Sequence, residues 1–318
     1  LSDSNSANGT GISSVTLNGT TYSAPTTDFN GAARPQPAGT NPDMGAIENS
    51  LGVAAAKTII VCDPQQDAMC FNSDFTSIQS AIDAANDGDT ILVDTYGAFL
   101  EHLAVYNKNL TIKANTTQYG ETYATIDGQG TGRPITITGT SAVTLKGLSL
   151  KNGKDNVSSN SDGGGGIKVS SSGSVLLEYL DINNNQSDGN GGGVFVEANS
   201  IVTISSCKVR NNSAANAGGG LWIKSDDVII QNTLVYDNSA QDAGGIFVGH
   251  NAGGMKLINS TIAGNSGSSG AAIFIEIPDS ILLVNNIFYN NGDDGLLLSD
   301  YPQPISGKIV AFNNYFSE

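Results

Sequence analysis

The sequence predicts an all-β fold, a parallel β-solenoid entered through one short helix, and three observations predict it. First, a hydrophobic run closed by a polar turn recurs: VTLKGLSLKNG from Val143, VLLEYLDINNN from Val175, VTISSCKVRNN from Val202 and VIIQNTLVYDN from Val228, then MKLINSTIAGN from Met255, ILLVNNIFYNN from Ile281 and IVAFNNYF from Ile309. Successive starts lie 32, 27, 26, 27, 26 and 28 residues apart, and a near-constant period of this size marks a stacked-repeat architecture. Second, each unit carries a further run behind its glycines, GGGIKV, GGGVFV, GGGLWI, AGGIFV, GAAIFI and DGLLL, with the length and the β-branched and aromatic character of a strand. Third, residues 140–318 contain no pair of segments with the 3.6 periodicity that a helical repeat needs. Each repeat then winds one coil, and each strand pairs with its equivalents one coil away at ~4.8 Å.

The elements follow in order. DFTSIQSAIDAANDGD, residues 74–89, predicts a helix near 76–86, because Ile78, Ala81, Ile82 and Ala85 share one face, a Ser or Thr is available as N-cap, and Asp87 and Gly88 end it. Placed directly before TILV at 90–93, it would cover the open end of the solenoid, where strand edges are unpaired. LTIKA at 110–114 and PITIT at 134–138 supply the first coils. Asn185, Asn212, Asn238, Asn265 and Asn291 fall at one repeat position, and Asn232, Asn259, Asn285 and Asn313 at another. Such columns suit corners, since Asn tolerates left-handed backbone and its amide can bond the equivalent amide one coil away. The glycines form the next corner.

TIIVCDPQQDAMCFNSDFTSIQSAIDAANDGDTILV, TIDGQGTGRPITIT and the repeated N-x-A/G-x-x-GGG units resemble the right-handed parallel β-helix superfamily of pectate-lyase-like proteins. Within it they are similar to bacterial surface β-helix proteins, the polymorphic outer-membrane-protein-like and choice-of-anchor groups. The likeness covers 57–318 and implies a right-handed helix on the cell surface or outside the cell. It leaves activity open, because the fold hosts lyases, hydrolases, adhesins and passive stalks. DFNGAARPQPAGTNPDMGAIEN, 28–49, resembles the segment with which such units end. Residues 1–52 are therefore expected to close a preceding unit and 53–318 to form the β-helix. Either the chain is cut from a tandem array or its N-terminal segment completes a neighbouring copy. In both cases units join head to tail.

Composition narrows the partners. Of 318 residues 39% are hydrophobic and 14% charged, and 14 Lys and Arg stand against 30 Asp and Glu, a net charge of -16. Such a surface repels nucleic acid, and no apolar run reaches the ~20 residues of a membrane span. Cys62 and Cys70 flank a short loop and can form a disulfide in an oxidising compartment. Cys207 aligns with Leu148, Leu180, Thr233 and Ser260, an inward position, and should pack as a small apolar side chain.

Three constellations are candidates for function. In the strand behind the glycines the middle residues are Lys168, Phe195, Trp222, Phe247, Phe274 and Leu297, each between aliphatics. If the aliphatics point inward, Phe195, Trp222, Phe247 and Phe274 form an external stripe. That stripe is either a sugar or partner platform or a ladder whose rings stabilise one another. Asp162, Asp188, Asp242, Asp293 and Asp294 lie in the turns before the glycine corners and, as a column, could hold Ca²⁺; against this stands the plain reading of solvated turns. For catalysis, Asp188 and Asp242 could reach the carboxylate separation of an inverting glycosidase. GHN at 249–251 is only near a catalytic Gly-His-Gly, Lys208, Arg210, Lys224 and Lys256 do not group as a lyase base, and His102 and His250 lack metal-ligand spacing. The expectation is a non-catalytic stalk, adhesive module or filament subunit, with a polysaccharide lyase or glycosidase as the alternative.

Overall fold

The computed structural model describes residues 55–63, 70, 73–94, 97–115, 124–158, 162–250, 252–276, 280–292, 296–298 and 309–317, and the backbone of 14–17 and 20–23. The chain divides into two units, Leu1–Lys57 with Asn86–Gly88, and Thr58–Ala85 with Asp89–Glu318. In the first, Ser14–Leu17 pairs antiparallel with Thr20–Ser23. The segment 28–49, on which head-to-tail joining was expected, lies outside the described residues.

The second unit is a parallel β-solenoid of three long sheets. One ten-stranded sheet starts at Thr58–Val61 and Thr90–Val93 and ends at Val310–Phe312; a nine-stranded sheet runs from Ala98–Phe99 to Tyr315–Ser317; an eight-stranded sheet runs from Leu103–Tyr106 to Leu296–Leu298. From Thr90–Val93 onward the chain visits these first, second and third sheets in turn. The register is the one the repeat predicts: Val143 pairs with Val175, Val175 with Val202 and Val202 with Val228. Strand residues alternate between buried and partly exposed, as in Leu110–Ala114, because successive side chains point to opposite faces. The inward column Ile112, Leu145, Leu177, Ile204, Ile230, Leu257 and Leu283 is fully buried. Burial stabilises each such side chain by about 1.5–3 kcal/mol.

The helix is Ile78–Ala84, shorter at both ends than the expected 76–86 because the N-cap Ser77 and the C-cap Ala85 are both extended. Ile78, Ala81 and Ile82 are buried, and the Ser77 hydroxyl caps the first turn by accepting from the Ser80 amide at 3.2 Å. Two charges from the following coil finish it. The Glu101 carboxylate accepts from the amides of Ile78 and Gln79, each at 2.9 Å. The Lys108 ammonium donates to the carbonyls of Ile82, Asp83 and Ala85 at 2.7, 2.7 and 3.0 Å. A carboxylate at the N-terminus and a cation at the C-terminus both suit the helix dipole.

Two asparagine columns form, by different geometry. Along Asn185, Asn212, Asn238, Asn265 and Asn291, each Oδ1 from Asn212 onward accepts both the main-chain N–H and the side-chain Nδ2 of its predecessor at 3.0–3.1 Å, while Asn185 Oδ1 accepts the Gly153 N–H at 2.7 Å. Each Nδ2 also donates to a main-chain carbonyl inside the coil, such as that of Ile182 for Asn212. This column is not itself left-handed, contrary to expectation: the positive φ falls one residue earlier, at Asn184, Asn211, Asp237, Gly264 and Asn290. The second column, Asn232, Asn259, Asn285 and Asn313, is left-handed throughout, with exposed amides bonding from Asn285 to Asn259 and from Asn313 to Asn285 at 3.0 Å. At the glycine corner, Gly218 has φ +67°, and a Cβ on Gly219 would collide with the Ser239 carbonyl oxygen. The glycines thus serve both positive φ and close coil-to-coil approach.

Candidate functional site

The outer face of the third sheet is built on the register Lys168, Phe195, Trp222, Phe247, Phe274. Flanking aliphatics such as Val194 and Val196 fill the interior, so the middle side chain is driven out, and Phe195 and Trp222, with Phe247 against them, form a cluster separate from the core. They stack nearly parallel, with centroids 4.5 Å apart for Phe195–Trp222, 6.1 Å for Trp222–Phe247 and 5.1 Å for Phe247–Phe274. Leu297 shares the register next to Phe274, but its side chain lies outside the described residues.

The external stripe is corrected in one respect. Phe195 is 0% and Trp222 6% exposed, while Phe247 and Phe274 are half-buried. Two causes combine. The glycine corner at Gly163 and Gly164 closes against Phe195, and every inner ring has a neighbour on each face. Lys168 stands 5.9 Å from the Phe195 centroid and Lys224 5.6 Å from that of Trp222, adding cation–π attraction. Rings stacked face to face leave chiefly edges to the outside, which suits a ladder better than a sugar-stacking platform.

The acidic column is also corrected. Main-chain pairing sets Asp162 level with Gly189 and Asn216, whereas Asp242 is level with Ala217 and Ser269, and Asp188 lies one place before Gly189. The three carboxylates therefore occupy three consecutive turn positions rather than one. Among the described residues no group of three or more Asp, Glu, His or Cys side chains gathers as a metal site; Asp293 and Asp294 lie outside them. Asp188 approaches Lys154 at 4.0 Å.

Asp162 belongs to a charged knot at the start of the ladder. It accepts from Lys168 at 2.6 Å and faces Arg133 at 3.5 Å, while Arg133 also binds the buried Asp155 at 2.7 Å. Burial works against the Asp162 charge, but the Lys168 bond, the Gly163 amide and the nearby cations outweigh it and hold the carboxyl below its usual range. It is thus an anion locked in ion pairs, a poor proton donor at neutral pH. Neither this knot nor the helix capping was legible in the sequence, because Arg133, Glu101 and Lys108 reach their partners from other coils.

The remaining candidates are structural in setting. His102 hydrogen-bonds the Arg133 carbonyl and the Thr131 hydroxyl, each at 3.2 Å. His250 pairs with Glu276 beside a polar hollow of about 500 Å³ lined by Asn199, Ser225, Asp226, Asp227 and Gly253; Asn251 of the GHN motif lies outside the described residues. Cys62 and Cys70 are joined by a disulfide with Cα atoms 5.7 Å apart. Cys207 is buried, and burial pushes its thiol up to about 12, so it stays protonated and unreactive. It opens a third ladder: Cys207 N–H donates to Thr233 Oγ1, Thr233 N–H to Ser260 Oγ, and Ser260 N–H to Asn286 Oδ1.

Three sheets of parallel coils, finished at their corners by amide and hydroxyl ladders, define the class as a parallel β-helix. The chain belongs to the family of the right handed beta helix region, which matches residues 58–215 and 182–318. No curated protein matches the sequence. A crystal structure of Escherichia coli YbhC is 12% identical, covering 89% of this chain and 77% of that one, with a TM-score of 0.33. At that score the likeness carries no functional transfer.

Proposed function

We propose that the chain is a rigid β-helical module of a surface or secreted protein, serving as stalk or adhesive unit rather than turning over a substrate. The observation that carries this reading is the unbroken register of the ladders: amide, hydroxyl and aromatic columns bond coil to coil, and the charged groups among them are tied into ion pairs. Long parallel pairing with satisfied corners resists bending and local opening. The Cys62–Cys70 disulfide suits an oxidising compartment. Head-to-tail contact with neighbouring units is part of the reading, on the resemblance of residues 28–49. Among the described residues no helix is long and apolar enough to cross a membrane.

The test is turnover. Incubation of the full chain with neutral and acidic polysaccharides, with and without calcium, should release neither new reducing ends nor unsaturated products. Sustained release that disappears in Asp162→Asn or His250→Ala would replace this reading with a carbohydrate-active enzyme.

A further inference from the structure

The outer face of the second sheet changes character along the solenoid. In its early coils the outward side chains are paired charges: Lys151 faces Asp127 at 3.7 Å, and Arg210 clasps Asp181 through bonds of 2.9 and 2.8 Å. Further on they become large and apolar. Leu234, Thr261 and Ile287 stand in one register, and Tyr236, Ala263 and Tyr289 in the next outward one. In both, the middle coil carries the smaller side chain between two larger ones. The face is open, with Leu234 42%, Ile287 45% and Tyr289 53% exposed. A trough of about 390 Å³ results along the strand Thr261–Ala263. Thr261, Ala263 and Gly264 form its floor, Leu234, Tyr236 and Tyr289 its walls, and Asp237 and Asn290 lie at one end.

The third sheet supplies an internal standard for what fits. There, consecutive coils are filled with rings whose centroids lie 4.5–6.1 Å apart. In the second sheet Tyr236 and Tyr289 are separated by two strand spacings, roughly 9.6 Å, and the Ala263 methyl does not fill the level between them. A ring seated there would lie at ladder distance from both walls.

We propose that this trough binds a neutral glycan, one pyranose ring lodging between Tyr236 and Tyr289 with the sugar chain lying along Thr261–Ala263. A pyranose has two apolar C–H faces and a rim of hydroxyls. The tyrosines offer apolar bodies to the faces, and the exposed Asp237 carboxylate and Asn290 amide offer an acceptor and a donor to the rim. The glycan is neutral because Asp237 stands at the site in a chain of net charge -16, which repels uronates and other anions. An aromatic side chain of a protein partner matches the ring thickness but leaves those two polar groups without a use.

The experiment titrates the full chain with cellohexaose, xylohexaose, mannohexaose, maltohexaose and hexagalacturonate by calorimetry, and repeats it on Ala263→Tyr and Tyr289→Ser. Ala263→Tyr supplies the missing ring from the protein itself, so its melting temperature should equal or exceed that of the parent, which separates lost binding from lost fold. The expected result is binding of at least one neutral hexaose, weaker or no binding of hexagalacturonate, and at least a roughly tenfold loss of affinity in both variants. The proposal is overturned if no neutral hexaose binds, if Ala263→Tyr binds as well as the parent, or if hexagalacturonate binds more tightly. A tyrosine-rich peptide that binds where no sugar does would assign the trough to a protein partner and overturn it equally. Each of these failures leaves the scaffold reading standing, because that reading is tested by turnover.

Discussion

Asn212 shows how much one amide carries. Its Oδ1 accepts from the Asn185 N–H and Nδ2, and its Nδ2 donates to Asn238 and to the Ile182 carbonyl, all in a buried corner. Asn212→Ala strands several buried polar groups and should cost about 3–4 kcal/mol in urea unfolding. Asn285→Gly keeps the left-handed φ and removes only exposed amide bonds, so it should cost about 0.5 kcal/mol or less. Equal losses would mean that burial does not separate the two ladders. Cys207 gives a pH signature with a definite sign. Its folded pKa of about 12 lies above the unfolded value of ~8.5, so the folded state holds a proton that the unfolded state gives up. Its contribution is intact below pH ~8.5 and is lost as pH rises toward 12, by at most about 1.4 kcal/mol per pH unit. Cys207→Ser should flatten that alkaline fall, and iodoacetamide should modify Cys207 in urea but not in the native protein.

The helix and the strands differ in how far the sequence reveals them. Strand registers were legible because inward Ile, Val and Leu repeat at a fixed interval, and every ladder residue inherits its place from that interval. The helix was legible from Ile78, Ala81 and Ile82, but its caps were not. Glu101 and Lys108 act from more than 20 residues away, and only coiling brings them to Ile78–Ala84. The same distance hid the Arg133–Asp155 pair. Corner turns were read one residue out of place at Asp188 and Asp242, since turn length varies between coils while strand register does not. The outward direction of Phe195 followed from alternation; its burial did not, because covering depends on the Gly163 corner. Lys108→Met removes three donors to the last turn and should destabilise the protein by about 1–2 kcal/mol. Amide exchange should speed up in Ile78–Ala84 and leave the strands around Trp222 unchanged. Uniform acceleration would contradict a local capping role.

At the scale of the solenoid unit, the outer faces of the second and third sheets are filled differently. The third sheet spends its aromatic rings on one another, while the second sheet leaves a ring-sized level empty between Tyr236 and Tyr289. Both follow from one property: residues a coil apart in sequence stand one strand spacing apart in space. Double electron–electron resonance tests that property directly, with one nitroxide at Thr144 and the second at Thr203, Lys256 or Val310. These four share a single register column through Leu176, Ile229 and Leu282. The predicted backbone separations are roughly 10, 19 and 29 Å, rising by equal steps of two strand spacings. Distances that fail to rise in equal steps would contradict the stacking on which the ladders, the trough and the scaffold reading all depend.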